Sequence, residues 1–208
     1  MTVHPTEFRP RPVAPLDRAP ARPTYEEALG SVRTLLRYIG EDPEREGLVD
    51  TPARVLKAYG DLFGGYDEDP GAALGRTFDE VAGYDEIVVL RGIHFFSHCE
   101  HHMIPIEGSA DIAYLPDRRV VGLSKLARVL DGYARRLQTQ ETLTAQVADA
   151  IERVLEPRAV AVIVRARHRC MAMRGVAQHD AETVTSTLRG EFRTDDALQA
   201  RMYRLLDA

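Results

Sequence analysis

Apolar residues recur at helical spacing in the first part of the chain. The segment 24–40 opens with a Thr-x-x-Glu capping box at Thr24 and Glu27, and apolar residues then repeat every three or four positions as far as a glycine. Residues 51–65 show the same spacing behind Pro52, which suits the first turn of a helix, and they end in a Gly-Gly pair. The pattern predicts two amphipathic helices.

Beyond residue 84 the pattern changes to β-branched and aromatic runs. Residues 85–97 predict a strand, and residues 108–116 and 118–123 predict a hairpin around Asp117. The remaining elements are predicted as helices at 124–137 and 141–157, antiparallel strands at 159–173 and 182–192, and a closing helix at 196–206. Strands that are grouped rather than alternating regularly with helices indicate an α+β fold.

The domain organisation follows from where this patterning begins. Residues 1–23 hold six of the twelve prolines and show no periodicity, so we expect a flexible Pro/Arg-rich tail. Residues 24–208 are expected to form one compact domain, with a helical part at 24–84 and a catalytic part at 85–208. No apolar run is long enough to span a membrane, and no secretory signal opens the chain, so we expect a cytoplasmic protein without a membrane partner.

Charge and cysteine content narrow the function. A net charge of -5 argues against general binding to nucleic acids, although residues 118–174 hold 12 basic residues against 5 acidic ones and could attract a small anion. Two cysteines are too few for a disulfide-stapled secreted scaffold. In a reducing compartment they are candidates for chemistry.

The two cysteines belong to a candidate metal site. Cys99 and His102 are separated by two residues, a spacing that lets a thiolate and an imidazole reach one ion. Alternation along the predicted strand 159–173 places His168 and Cys170 on the face that carries its valines. We therefore expect Cys99, His102 and Cys170 to bind zinc. Because three protein ligands leave the fourth tetrahedral position open to water, such a site would be catalytic.

Simpler interpretations remain open at this point. The two cysteines could form a disulfide, for example by oxidation after loss of the metal. His94 and His98 are expected to be core histidines, and His179 is expected to lie in a surface loop.

Five motifs occur in order between about residues 24 and 206, namely SHCEHHMIPIEG, VVGLSKLARV, QTQETLT, RHRCMAMRGV and TVTST. Together they resemble GTP cyclohydrolase I. The resemblance implies zinc-dependent hydrolysis of GTP to formate and 7,8-dihydroneopterin triphosphate, the first step toward folate or biopterin. It also implies that the zinc ligands are Cys99, His102 and Cys170, in agreement with the spacing argument.

The resemblance further implies the roles of individual residues. His101 and His168 match acid–base positions, and Ser124 matches a position near the ribose, although a serine in front of an amphipathic run is more simply a helix N-cap. Gln140 and Glu141 match the guanine end, where a carboxylate can accept two hydrogen bonds from the base. The cationic positions expected to hold the triphosphate are Arg54, Lys57, Lys125, Arg128 and Arg174.

The fold implied by the resemblance is the tunnelling fold, in which an antiparallel sheet with helices on one side joins copies of itself into a barrel-like ring. The implied assembly is a homodecamer with sites at subunit junctions. Two alternatives remain. One is a non-catalytic, zinc-stabilised protein that binds purine nucleotides. The other is the nitrile reductase branch of queuosine synthesis, which uses a lone cysteine with a nicotinamide; the second cysteine and the Cys-x-x-His spacing disfavour it.

Overall fold

A computed structural model of the chain describes residues 21–75, 77–78 and 84–207. Of the predicted tail, residues 1–23, the first 20 residues lie outside the described part of the chain. The chain forms two compact units, one up to Leu56 and one from Lys57 onward.

In the first unit, α1 (Tyr25–Tyr38) begins at the predicted capping box. The Thr24 hydroxyl oxygen accepts the Glu27 N–H at 3.3 Å, and the Glu27 carboxylate accepts the Thr24 N–H at 2.7 Å, so two backbone donors that the helix cannot satisfy find partners. Gly40 follows the helix with a φ of 95°, a conformation that glycine adopts readily. The second predicted helix, α2 (Thr51–Leu62), also begins in this unit.

The second unit carries the sheet. After two short 3₁₀ turns (Gly64–Asp67 and Pro70–Leu74), its elements are β1 (Thr77–Phe78), β2 (Val88–Cys99), β3 (Pro105–Leu115), β4 (Val120–Val121), α3 (Leu123–Ala134), β5 (Leu137–Gln138), α4 (Gln140–Leu155), β6 (Ala159–His168), α5 (Arg169–Ala172), β7 (Thr183–Gly190), α6 (Glu191–Thr194) and α7 (Asp196–Asp207). Within the described parts of the chain, no helix combines the length and apolar character needed to cross a bilayer.

The main sheet has five strands in the order β5-β2-β3-β6-β7. The four long strands pair antiparallel, and the short β5 pairs parallel with the last two residues of β2. The predicted α+β class and the predicted pairing of β6 with β7 are confirmed. Because successive side chains of a strand point to opposite faces, each strand contributes to two separate layers.

One face of the sheet packs against α3 and α4. Val160, Val162 and Val164 of β6 are at most 1% exposed and share this core with Leu126 of α3 and Ile151 of α4. Full burial of such a side chain stabilises the fold by about 1.5–3 kcal/mol. This core fixes the two helices against the sheet and thereby positions the start of α4 beside the end of β6.

The opposite face is covered in part by the C-terminal helices. Ala161 and Ile163, the alternate residues of β6, pack with Phe192 of α6 and with Met202 and Leu206 of α7. The sequence analysis placed the helices on one side of the sheet. The long helices α3 and α4 lie there, and the structure adds α7 on the other side.

The predicted hairpin around Asp117 is wrong. Residues 108–115 belong to β3, which pairs with β2 along one edge and with β6 along the other. Since both edges of β3 are occupied, the following strand β4 cannot join it. It pairs instead with β1, as Val121 with Thr77 and Val120 with Phe78.

Candidate metal centre and catalytic cavity

The loop that follows β2 is a tight turn with three potential metal ligands or proton carriers. The Cys99 N–H donates to the Ile104 carbonyl at 2.9 Å, and the Met103 N–H donates back to the Cys99 carbonyl at 2.8 Å. Met103 takes a φ of 55°, unusual for a residue with a side chain. The turn therefore holds Cys99, His101 and His102 close together at the end of the strand.

Cys170 approaches the same point from β6, but not as part of the strand. The predicted strand 159–173 ends at His168. His168 pairs with Ile106, which is only one residue from Pro105, where the antiparallel partner β3 begins, so β6 has no partner beyond this point. Residues 169–172 form the single helical turn α5. The expectation that strand alternation alone orients Cys170 is therefore wrong, and the turn directs the thiol instead.

The three predicted ligands converge. The Cys99 and Cys170 sulfurs and a ring nitrogen of His102 all lie within 4.8 Å of one another, and the Cys99 Sγ lies 3.9 Å from the His102 Nδ1. Zinc bonds of about 2.3 Å to sulfur and about 2.0 Å to nitrogen place tetrahedral ligand atoms about 3.5–3.8 Å apart. Two thiols and an imidazole are a donor set typical of zinc, so these residues fit the ion.

Both cysteines are free thiols. Burial raises the pKa of the Cys170 thiol, and the neighbouring Cys99 raises it further, while the Arg174 guanidinium opposes the shift. Because a metal binds the thiolate, binding has to release a proton from Cys170.

His101 and His102 occupy the exposed side of the site. The His101 Nδ1 lies 3.7 Å from the Cys99 Sγ, and its Nε2 lies 3.7 Å from the Glu100 carboxylate. The Arg174 guanidinium donates to the His102 Nε2. Arg174 is thus placed beside a predicted metal ligand, at the rim of the site.

His168 occupies the buried side. Its Nε2 lies 2.8 Å from the Oε1 of Gln140, the first residue of α4. Burial lowers the pKa of the His168 imidazole, and the nearby Glu141 carboxylate partly opposes that shift. A neutral imidazole is therefore favoured at this position.

A cavity of about 270 Å³ joins these groups. It is lined by predicted site residues and by four that the sequence analysis did not name; in full, Cys99, His101, His102, Gln138, Thr139, Gln140, Glu141, His168, Cys170, Met171 and Thr183. Thr139 is the N-cap of α4, where its hydroxyl accepts the Thr142 N–H at 3.2 Å. The signal that could have identified Thr139 as part of the site is its position as a helix-capping residue directly before Gln140.

Other predicted residues do not line this cavity. Lys125 and Arg128 lie on α3, where the Lys125 ammonium donates to the Ala73 carbonyl at 3.0 Å. Ser124 is exposed and is the second residue of α3, whose N-cap is Gly122, so the N-cap interpretation of Ser124 is wrong. Lys57 is exposed on α2, and Arg54, in the first unit, pairs with Asp50.

Of the three histidines expected outside the site, two have the predicted burial and one does not. His98 is buried, its ring centroid lies 4.9 Å from that of Phe63, and its Nδ1 has no hydrogen-bond partner in the described structure. Burial lowers its pKa. His179 is exposed, as expected. His94 is also exposed, so its prediction as a core histidine is wrong.

Comparison with known proteins identifies relatives over most of the chain. The family model described as GTP cyclohydrolase I matches residues 28–207. A GTP cyclohydrolase 1 of Sinorhizobium fredii is 59% identical over 191 residues, covering 92% of this chain and 93% of the relative. One of Brucella suis is 56% identical over 193 residues, covering 93% and 91%. Among solved structures, an archaeosine synthase QueF-Like in the apo form matches with a TM-score of 0.42 and 17% identity, over 50% of this chain and 93% of that one.

Proposed function

Since the chain belongs to the GTP cyclohydrolase I family and is an enzyme of that type, we propose that it hydrolyses GTP to formate and 7,8-dihydroneopterin triphosphate with the help of zinc. The observation that carries this proposal is the convergence of Cys99, His102 and Cys170 within 4.8 Å at one end of a cavity that also contains His168 and Glu141. Metal ligands, a proton carrier and a carboxylate are the groups that hydrolysis of a purine ring requires.

The metal and the protein would divide the work. A zinc ion held by Cys99, His102 and Cys170 would act as a Lewis acid. It would lower the pKa of water toward ~7, so that a nucleophile is available in neutral solution. His101 and His168 would exchange protons with the ring nitrogens and the sugar as the carbon–nitrogen bonds break. Ser124 would interact with the ribose ring oxygen.

Glu141 would select the base. Its carboxylate is exposed in the first turn of α4 and faces the cavity. An ionised carboxylate only accepts hydrogen bonds, and guanine offers it two adjacent donors, N1–H and the exocyclic amine, which adenine does not. Gln140 belongs to the same end of the site.

The triphosphate would be held by Arg54, Lys57, Lys125, Arg128 and Arg174. Small-molecule sites usually measure roughly 300–1,000 Å³. The cavity formed within one chain, at about 270 Å³, is smaller than this range and does not include α3. We therefore propose that a second copy completes the site in a homo-oligomer, a decamer in which the tunnelling fold closes into a ring.

The proposed enzyme acts in the cytoplasm, where a reducing environment keeps the two free thiols available for the metal. Its product would enter folate or pterin synthesis. No nucleic-acid or membrane partner is part of the proposal.

The test is to incubate the purified, zinc-loaded protein with GTP and to measure formate release together with the fluorescence of the oxidised neopterin product. We expect turnover, loss of turnover on chelation, and recovery when zinc is added back. Binding of GTP without formate release would favour the non-catalytic alternative. Full activity in metal-free protein would contradict the role of zinc.

A further inference from the structure

Gln140 is a polar residue that the fold buries almost completely. Its side chain is only 1% exposed although it stands at the first position of a helix facing the cavity. Its Nε2 donates to the Val164 carbonyl of β6 at 3.0 Å and to the Thr183 carbonyl of β7 at 2.9 Å. The amide thus bridges two strands immediately behind the site.

These contacts determine which way the amide points. A backbone carbonyl can only accept a hydrogen bond, so the amide group facing the two carbonyls must be the NH₂. The opposite orientation would bring three oxygens together in a buried position, which is costly. The Oε1 of Gln140 therefore faces His168.

The orientation of the amide in turn determines the tautomer of the histidine. An amide oxygen only accepts, and it lies 2.8 Å from the His168 Nε2, so that nitrogen has to carry a hydrogen. In the neutral imidazole the lone pair is then on Nδ1. Proton exchange with a substrate takes place through Nδ1, whether His168 accepts a proton or donates one.

Two threonine hydroxyls lie behind this arrangement. The Thr185 hydroxyl lies 3.1 Å from the Gln140 Nε2 and 2.7 Å from the Thr144 hydroxyl, and Thr144 donates to the Gln140 carbonyl at 2.7 Å. Because a hydroxyl can donate or accept, the two backbone carbonyls alone decide the orientation of the amide.

We propose that the Gln140 side chain is a positioning residue, which holds His168 in the Nε2–H tautomer and presents Nδ1 as the nitrogen that exchanges the proton. The proposal rests on the proposed function of His168 and assigns Gln140 an action through that histidine rather than through side-chain contact with the base. Outer partners that orient an imidazole at metal centres are typically worth about 10- to 100-fold in activity. We expect a loss of that size in kcat when the amide is removed.

The test combines a direct measurement of the tautomer with kinetics. Full-length protein labelled with ¹⁵N-histidine is examined by solid-state NMR without GTP, and the His168 signals are assigned by comparison with His168→Gln. We expect a protonated Nε2 and an unprotonated Nδ1. Gln140→Leu removes the amide and keeps a side chain of similar volume. In this variant we expect a mixture of His168 tautomers. We also expect kcat to fall by about 10- to 100-fold and the KM for GTP to change much less.

The matched control is Thr185→Val. It removes a hydroxyl from the same buried network but leaves both amide hydrogens with their carbonyl acceptors, so it should preserve the tautomer and kcat. A wild-type His168 protonated on Nδ1 overturns the proposal, even if Gln140→Leu fails to fold. Equal loss of kcat in Gln140→Leu and Thr185→Val overturns it too. Failure of wild-type protein to release formate would instead contradict the proposed function and leave the tautomer measurement standing.

Discussion

The two sides of the cavity are built in opposite ways. On the buried side, His168 and Gln140 are tied by hydrogen bonds to β6 and β7. On the exposed side, the side chain of His101 is 65% exposed and that of Glu100 is 48% exposed. Burial lowers the pKa of the His168 imidazole. The difference shows that one fold can hold one histidine of a cavity by a hydrogen bond and leave another exposed.

The predicted metal ligands join the two sides, since Cys170 follows β6, Cys99 ends β2 and His102 belongs to the exposed loop after it. Removal of one ligand should therefore have the largest effect. In Cys170→Ala we expect loss of tightly bound zinc and no measurable formate release, because two remaining ligands bind the ion weakly. Metal analysis of the purified protein checks this. Met173→Ala, an exposed change in the same segment, is the control and should retain zinc. Stoichiometric zinc in Cys170→Ala would contradict the assignment of Cys170 as a ligand.

Loss of the half-buried His168 should affect both catalysis and stability. In His168→Ala we expect zinc to be retained and turnover to fall by about 10²–10⁴-fold, the usual contribution of a general acid or base. The buried Gln140 Oε1 loses its donor, so the free energy of unfolding should fall by about 1–3 kcal/mol. Activity assays and denaturant unfolding measure the two effects. Unchanged stability would show that water replaces the imidazole without cost.

Loss of the exposed histidine should separate these two effects. His101→Ala is expected to lower turnover by about 10²–10⁴-fold while changing the free energy of unfolding by less than about 0.5 kcal/mol, because the ring is exposed and is not held by the core. The same assays apply to it. A destabilisation equal to that of His168→Ala would remove the contrast between the two sides.

The smallest effect is expected at the exposed carboxylate beside His101. Glu100→Gln removes a charge 3.7 Å from the His101 Nε2, and a surface pair of this kind is worth about 0–1 kcal/mol. Zinc content should not change, and turnover should change far less than in His101→Ala. A loss as large as that of His101→Ala would mean that Glu100 holds the imidazole in place.

The sequence analysis anticipated the elements better than their pairing. Helical spacing and the capping box located α1 and α2 correctly, because those signals are local. The hairpin around Asp117 failed because a strand's partner is decided by which edges remain open, and β2 and β6 occupy both edges of β3. The strand through Cys170 failed for a related reason, since a strand ends where its partner ends.

For the site, the Cys-x-x-His spacing identified Cys99 and His102 as donors for one ion. Strand alternation selected Cys170, which does converge with them although it lies in a helical turn. The roles of Ser124, Lys125 and Arg128 remain predictions, because the groups that would surround them are not all in one chain. Met171 and Thr183 were missed because neither carries a local chemical signal, and only the fold brings them to the cavity.

By itself, the sequence determined the chemistry available to this protein: which residues can bind a metal, carry a proton or cap a helix, and where the amphipathic segments lie. Only the tertiary structure decided that α5 turns Cys170 toward Cys99, that α7 covers the second face of the sheet and that the Gln140 amide faces His168. The physical reason is that residue type and spacing are local properties. The direction of a side chain at the end of an element depends on strands and helices that are distant in the sequence.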